Sequence, residues 1–148
     1  MTHHLAQLNI ARLAAPLDSK QLSGFVANLD QINRLAEKSP GFVWRYESPI
    51  FDTTSADHPF GSDYIVNMSL WDSVEALHDY TYRSAHKKVM ARRNEWFIQS
   101  HEAQAVLWWA PAGRHPTPFD AAERLHHLRR EGPTDYAFTF KQAFSLPV

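Results

Sequence analysis

Residues 4–13, HLAQLNIARL, place His4, Ala6, Leu8 and Ile10 on one side of the chain and Gln7 and Asn9 on the other. That period of two predicts a strand covered by helices on one side only. Between Ser19 and Lys38, Leu22, Phe25, Val26, Leu29, Ile32, Leu35 and Ala36 recur at helical spacing, with Asp18 or Ser19 available as cap and Pro40-Gly41 as stop. FVWRYES (42–48) and DYIVNMSLW (63–71) are aromatic and β-branched enough for strands. The connection between them is long, and such loops inside compact domains often act as lids. Asp72 and Glu75 form a capping-box pair that predicts a helix through Tyr80, and YRSAHKKVMARRNEWF (82–97) continues it as a second helical piece. AQAVLWWAPAG (103–113) returns as a strand. TPFDAAERLHHLRREGPT follows as a helix with Pro118 in its first turn, Leu125 and Leu128 inward and Gly132-Pro133 at its end. The tail AFTFKQAF suits an edge strand or an arm around a partner chain.

Strand, helix, strand, strand, helix, strand is the split βαβ order of ferredoxin-like folds, so the expected class is α+β with an antiparallel sheet, in one domain spanning 1–148. One sheet face is expected to pack on the two helices. The other would carry Gln7, Asn9, Asn67, Ser69, Gln104 and Trp108. A mixed surface of that kind, paired with its copy, would close a barrel and give a homodimer. The pattern leaves open which face of the first strand lines a pocket, because a shift of one residue exchanges the faces.

Composition narrows the functions. The chain has 148 residues, 44% hydrophobic and 21% charged, enough for one domain with a core. A formal charge of −1 gives no general attraction for nucleic acid or an anionic membrane. No cysteine is present, which removes disulfides, thiolate metal sites and cysteine nucleophiles and fits a reducing compartment. No segment approaches the roughly 20 apolar residues of a membrane span, and the expectation is a soluble, cytoplasmic protein.

Candidate chemistry concentrates in residues 82–97. On a helix advancing about 100° per residue, Tyr82, His86, Val89, Arg93, Trp96 and Phe97 share an arc. An imidazole and a guanidinium on an inward face suit a ligand pocket, or a dry core in which both are internally paired. His86 could ligate a metal, take a proton near neutral pH or bind an anion. Arg93, if buried, needs a counter-charge, either a ligand oxygen or an internal acid such as Glu95 or Glu102. Tyr82, Trp96 and Trp108 would supply rings for a flat aromatic ligand, with Asn67 among the polar contacts. Other constellations are weaker. Glu75 and His78 make a single E-x-x-H where a di-iron site needs two. The pairs His3-His4 and His126-His127 diverge in direction. The cations Arg83, Lys87, Lys88, Arg92 and Arg93 read first as a solvated face. No glycine-rich nucleotide loop or nucleophile elbow occurs.

Three blocks, HLAQLNIARL, WDSVEALHDYTYRSAHKKVMARRNEWF and VLWWAPAGRHPTPFDAAERLHHLRREGPTDYAFTF, resemble an uncharacterised bacterial family, domain of unknown function 3291. That family is placed with the dimeric α/β-barrel proteins, whose relatives include antibiotic-biosynthesis and haem-degrading monooxygenases. The resemblance implies a homodimer with one pocket per subunit, between sheet and helices. The segment from Trp71 to His86 is also similar to haem-degrading monooxygenases, which by position would make Asn9 their first-strand Asn and His86 the haem ligand. Tyr80 stands where those enzymes have a Trp that distorts the porphyrin. The expected function is that of a small monooxygenase acting on a compact aromatic or polycyclic metabolite without flavin or metal. His86 would assist deprotonation, Arg93 or Asn9 would steady the oxyanion, and Tyr80 would stand beside them. The rivals are a haem protein with His86 as axial ligand and a metabolite binder that does no chemistry.

Overall fold

The computed structural model of the chain describes residues 2–47, 59–84 and 86–146, without the side chains of His86 and Val89. Strand β1 (His3–Leu13) is the axis of an antiparallel sheet. It pairs on one side with β3 (Tyr64–Trp71), whose outer neighbour is β2 (Phe42–Arg45), and on the other with β5 (Ala105–Pro111). A two-residue strand, β4 (Phe97–Ile98), extends the β5 side by pairing with Arg12 and Leu13. The spatial order β2-β3-β1-β5 is that of a ferredoxin-like sheet. The helices are α1 (Ser23–Lys38), α2 (Val74–Arg83), the short α3 (His86–Met90) and α4 (Arg93–Trp96), and α5 (Pro118–Glu131). None of the helices among the described residues is long and apolar enough to cross a membrane. The loop read as a lid lies in large part, from 48 to 58, outside the described residues.

Both faces of the sheet are covered, and the faces are the reverse of the sequence expectation. The apolar face of β1 (Ala6, Leu8, Ile10) joins Val66, Met68, Leu70, Val106 and Trp108 in a core closed by Ala121, Leu125 and Leu128 of α5. The polar face, with Gln7, Asn9, Asn67 and Ser69, looks toward α1 and α2. Registers fix this: Gln7 lies opposite Ser69 and Asn9 opposite Asn67, whereas Ala6 pairs with Trp108 and Arg129 of α5 donates to the Gln104 side chain. Trp108 and Gln104 therefore belong to the α5 side. The sheet face expected to meet a second copy, with Gln7 and Asn9, thus looks onto α1 and α2, and the opposite face is occupied by the chain's own C-terminal helix, because α5 carries a buried stripe (Pro118, Ala121, Ala122, Leu125, Leu128) that needs an apolar partner.

Several element ends also differ from expectation. α1 starts at Ser23, because Pro16 to Leu22 close turns in which Ser19 bonds back to the Pro16 carbonyl. Ser73, not Asp72, caps α2 by accepting from the Ala76 amide at 3.1 Å. Pro118 stands in the first turn of α5 as expected, and Thr117 and Asp120 close a reciprocal capping box around it that was not among the sequence expectations. Residues 82–97 do not form one helix. Ser84 ends α2 in extended conformation, and Phe97 turns extended to pair with Leu13. Gly41, at φ 84°, links α1 to β2 where a side chain would strike Ala76 at 2.6 Å.

The tail does not add a full strand among the described residues. Phe138 forms a two-hydrogen-bond bridge with Leu107 of β5, each 2.8 Å. It is wholly buried in the second core cluster with Leu5, Trp71, Leu77 and Leu107, on the α1 and α2 side.

Candidate functional site

A cavity of about 960 Å³ lies between the polar sheet face and the helices, at the upper end of the size of small-molecule sites. Its walls follow from how α1 is written. Phe25, Leu29 and Ile32 lie on one helical face, yet of α1 only Ala36 is buried. Phe25, Leu29 and Ile32 line the cavity instead of closing on the sheet. Ile65 and Phe97 add apolar surface from the strands, and Met90 from α3.

The floor is polar and ordered by donor–acceptor logic. Trp71 Nε1 can only donate, and it donates to Ser69 Oγ at 2.8 Å. Gln7 Nε2 donates to the same oxygen at 2.8 Å and to Asn67 Oδ1 at 2.6 Å. The Asn67 oxygen is thereby engaged, and its NH₂ remains for a ligand. Asn9, directly across the ladder, makes no side-chain hydrogen bond among the described residues and is exposed to the cavity. Two amides on adjacent strands and one face stand about 5 Å apart at Cβ. That spacing lets both donate to one ligand oxygen.

Arg45 also lines the cavity, anchored by Glu37 of α1 at 3.0 Å and Glu47 at 3.6 Å. Tyr80 stacks on Trp71 with ring centroids 5.2 Å apart and donates to the Ile32 carbonyl at 3.3 Å. Burial pushes its phenol well above the ordinary tyrosine range, with Arg45 opposing more weakly, so Tyr80 stays protonated and acts as a donor, not a base.

The candidates separate clearly. Asn9, Asn67, Tyr80, Tyr82 and Arg93 line the cavity. Trp96 does not: it is 1% exposed and packs on Phe25, with Arg92 over its ring. Trp108 lies on the opposite sheet face, 2% exposed, in the α5 core. Neither tryptophan can touch a ligand in this cavity. Arg93 is exposed, not buried, and Glu95 pairs with Arg92 at 2.9 Å, so the expectation of an inward guanidinium needing a counter-charge fails. The breaks in residues 82–97 explain this, because Tyr82 stands on α2 while Arg93 and Trp96 stand on α4, so no single helical face runs through all three. His86 opens α3, and its side chain lies outside the described residues. The described residues contain no cluster of three metal-ligating side chains, and the His78 ring lies beside Tyr82 and Phe140.

Arg45 went unremarked in the sequence, although a charge inside the aromatic run FVWRYES was a signal. The face of the first strand left open by the pattern is settled by register: Gln7 and Asn9, two apart, both face the cavity. Phe140 and Lys141 of the tail also line the cavity, and no periodicity in the tail pointed there.

No curated protein matches the chain. Among solved structures it is similar to a protein of unknown function from Nitrosomonas europaea, 11% identical over 79% of this chain and 96% of that one, with a TM-score of 0.49. The model of the family described as "Domain of unknown function (DUF3291)" matches residues 4–148, nearly the whole chain, and the chain belongs to that family.

Proposed function

We propose that the cavity binds a compact aromatic or polycyclic metabolite with an ionisable oxygen, and that the chain oxidises it with molecular oxygen, without flavin or metal, as the resembling antibiotic-biosynthesis monooxygenases do. The observation that carries this reading is the pair of amides, Asn9 and Asn67, on the floor of a cavity walled by Phe25, Leu29, Ile65 and Phe97. A neutral donor oriented before the ligand arrives, as Asn67 is by Gln7, stabilises a developing oxyanion without the cost of reorienting water, and Asn9 adds a second donor beside it. His86 would take the proton from an activated methylene beside the ketone or phenol. The resulting carbanion, its charge held at the oxygen by the two amides, reacts with O₂. One oxygen atom becomes the new carbonyl as the carbon loses two hydrogens, and the other leaves as water, so the four electrons come from the substrate carbon.

Oxygen uptake by the purified protein with polycyclic ketones and hydroxyaromatics tests this. Asn67→Leu should lower turnover by about 10²–10³-fold, the usual loss for one oxyanion donor, while His86→Ala abolishes it and both variants remain folded. No uptake with any substrate, together with ligand binding that needs Asn67, would favour the metabolite-binder reading. That reading draws on Tyr80, which is locked as a donor and supplies no base.

The haem-degrading arrangement fits poorly. The ring in the position of the distorting Trp, Tyr80, is committed to Trp71 and the Ile32 carbonyl and cannot press on a porphyrin. We therefore derive no step through haem. Titration of the protein with haem should give no stoichiometric Soret band that depends on His86; a band lost in His86→Ala would restore the haem reading. The homodimer implied by the resemblance remains part of the proposal, through a surface other than the sheet face that α5 covers.

A further inference from the structure

The cavity opening carries charges that the floor chemistry does not use. Arg93 of α4 and Lys141 of the tail are both exposed and both line the cavity, which puts them at its mouth. Neither forms an ion pair among the described residues, whereas their neighbours are engaged: Arg83 with Asp79 at 3.5 Å and Arg92 with Glu95 at 2.9 Å. Two acids also line the cavity. Glu47 is paired with Arg45, and Asp30 on α1 has no ion-pair partner among the described residues. Unpaired charge at the mouth is thus two cations against one anion. Beside Lys141, the Phe140 ring packs on Tyr82 at 5.8 Å and on His78 at 5.5 Å, so the tail gives the mouth an aromatic wall as well as a charge.

We propose that the ligand is a bifunctional planar anion, with a phenolic or enolic oxygen on the Asn9 and Asn67 amides and a carboxylate at the other end of its ring system, held at the mouth by Arg93 and Lys141. This rests on the proposal that the cavity is the ligand site and adds the class of ligand. The two ends of the cavity ask for different oxygens. Neutral amides at the floor suit an oxygen that gains charge only during reaction, while flexible cations in contact with solvent suit a group that is always ionised. An apolar middle separates the two and requires a rigid spacer without polar groups.

Three probes separate these claims: 6-hydroxy-2-naphthoate, 2-naphthol without the carboxylate, and 2-naphthoate without the hydroxyl, each titrated by calorimetry. The hydroxynaphthoate should bind about tenfold tighter than 2-naphthol at low salt, the scale of two solvent-exposed charge contacts, and the advantage should shrink as salt is added. Arg93→Gln with Lys141→Gln should erase that advantage and leave 2-naphthol affinity unchanged. Asn67→Leu should weaken the hydroxynaphthoate and 2-naphthol and spare 2-naphthoate. Equal affinity of wild-type protein for the hydroxynaphthoate and 2-naphthol, or an advantage that survives the double variant, would overturn the charged-mouth proposal with the cavity reading intact. Binding of all three probes that ignores Asn67→Leu, or no binding of any, would overturn both.

Discussion

Truncating Leu125 to alanine is expected to destabilise the chain by about 2–5 kcal/mol, the range for a fully buried leucine, whereas the same change at Leu29 should cost under about 1 kcal/mol, little apolar area being withdrawn from water there. Both leucines lie on apolar faces of helices over the same sheet. Their surroundings differ. Leu125 is 0% exposed, locked among Leu8, Met68 and Trp108, while Leu29 is half-buried on the wall of an open cavity. Urea unfolding of the two variants, read by tryptophan fluorescence, measures the difference directly. Equal large losses would mean that α1 packs on the sheet as tightly as α5 does, leaving no room for a ligand. The contrast also bears on binding, since Leu29→Ala should alter affinity for a bound ring while Leu125→Ala acts only through stability.

The same contrast explains what was readable in the sequence. A period of two in HLAQLNIARL specifies a strand with one apolar and one polar face, and a period near 3.6 specifies α1 and α5 as amphipathic. These patterns state that each face needs a cover and say nothing about which cover arrives. The apolar face went to α5, the last helix in the chain, and the polar face went to α1 and α2, where its Leu5 and Trp71 end joins a core and its Asn9 and Asn67 end meets a cavity. The period of two places Asn9 and Asn67 together on the polar sheet face, whereas Tyr80 is named only through the resemblance to haem-degrading monooxygenases; all three line the cavity. Trp96 and Trp108 were misplaced for different reasons. The helical arc drawn through residues 82–97 crosses breaks at Ser84 and near Arg92, and an arc has no meaning across a break. Trp108 alternates with Leu107 and Trp109 on a strand that is apolar on both faces, so period alone could not assign it.

Ending the chain after Asp135 should cost at least about 3–5 kcal/mol, the loss for one buried phenylalanine, and should make the protein self-associate. Phe138 is wholly buried and bridges Leu107 from the outer side of β5, and Trp109 Nε1 donates to the Phe144 carbonyl at 2.9 Å. β5 is the edge of the sheet, so removing the tail uncovers unpaired N–H and C=O groups beside apolar side chains, the usual template for pairing with another chain. Two point variants divide the tail's contributions. Phe138→Ala keeps the backbone bridge, so it should lose similar stability yet remain unassociated. Phe140→Ala removes only a ring at the cavity mouth, packed on His78 and Tyr82, and should weaken ligand binding with little change in unfolding. Urea midpoints and light scattering on the three proteins check this order. A truncated chain as stable and as dispersed as the full one would show that the tail neither seals the edge nor completes the core. Were the tail inert in that way, Lys141 would have no fixed place at the mouth, and the cation proposed to hold a carboxylate there would reduce to Arg93 alone.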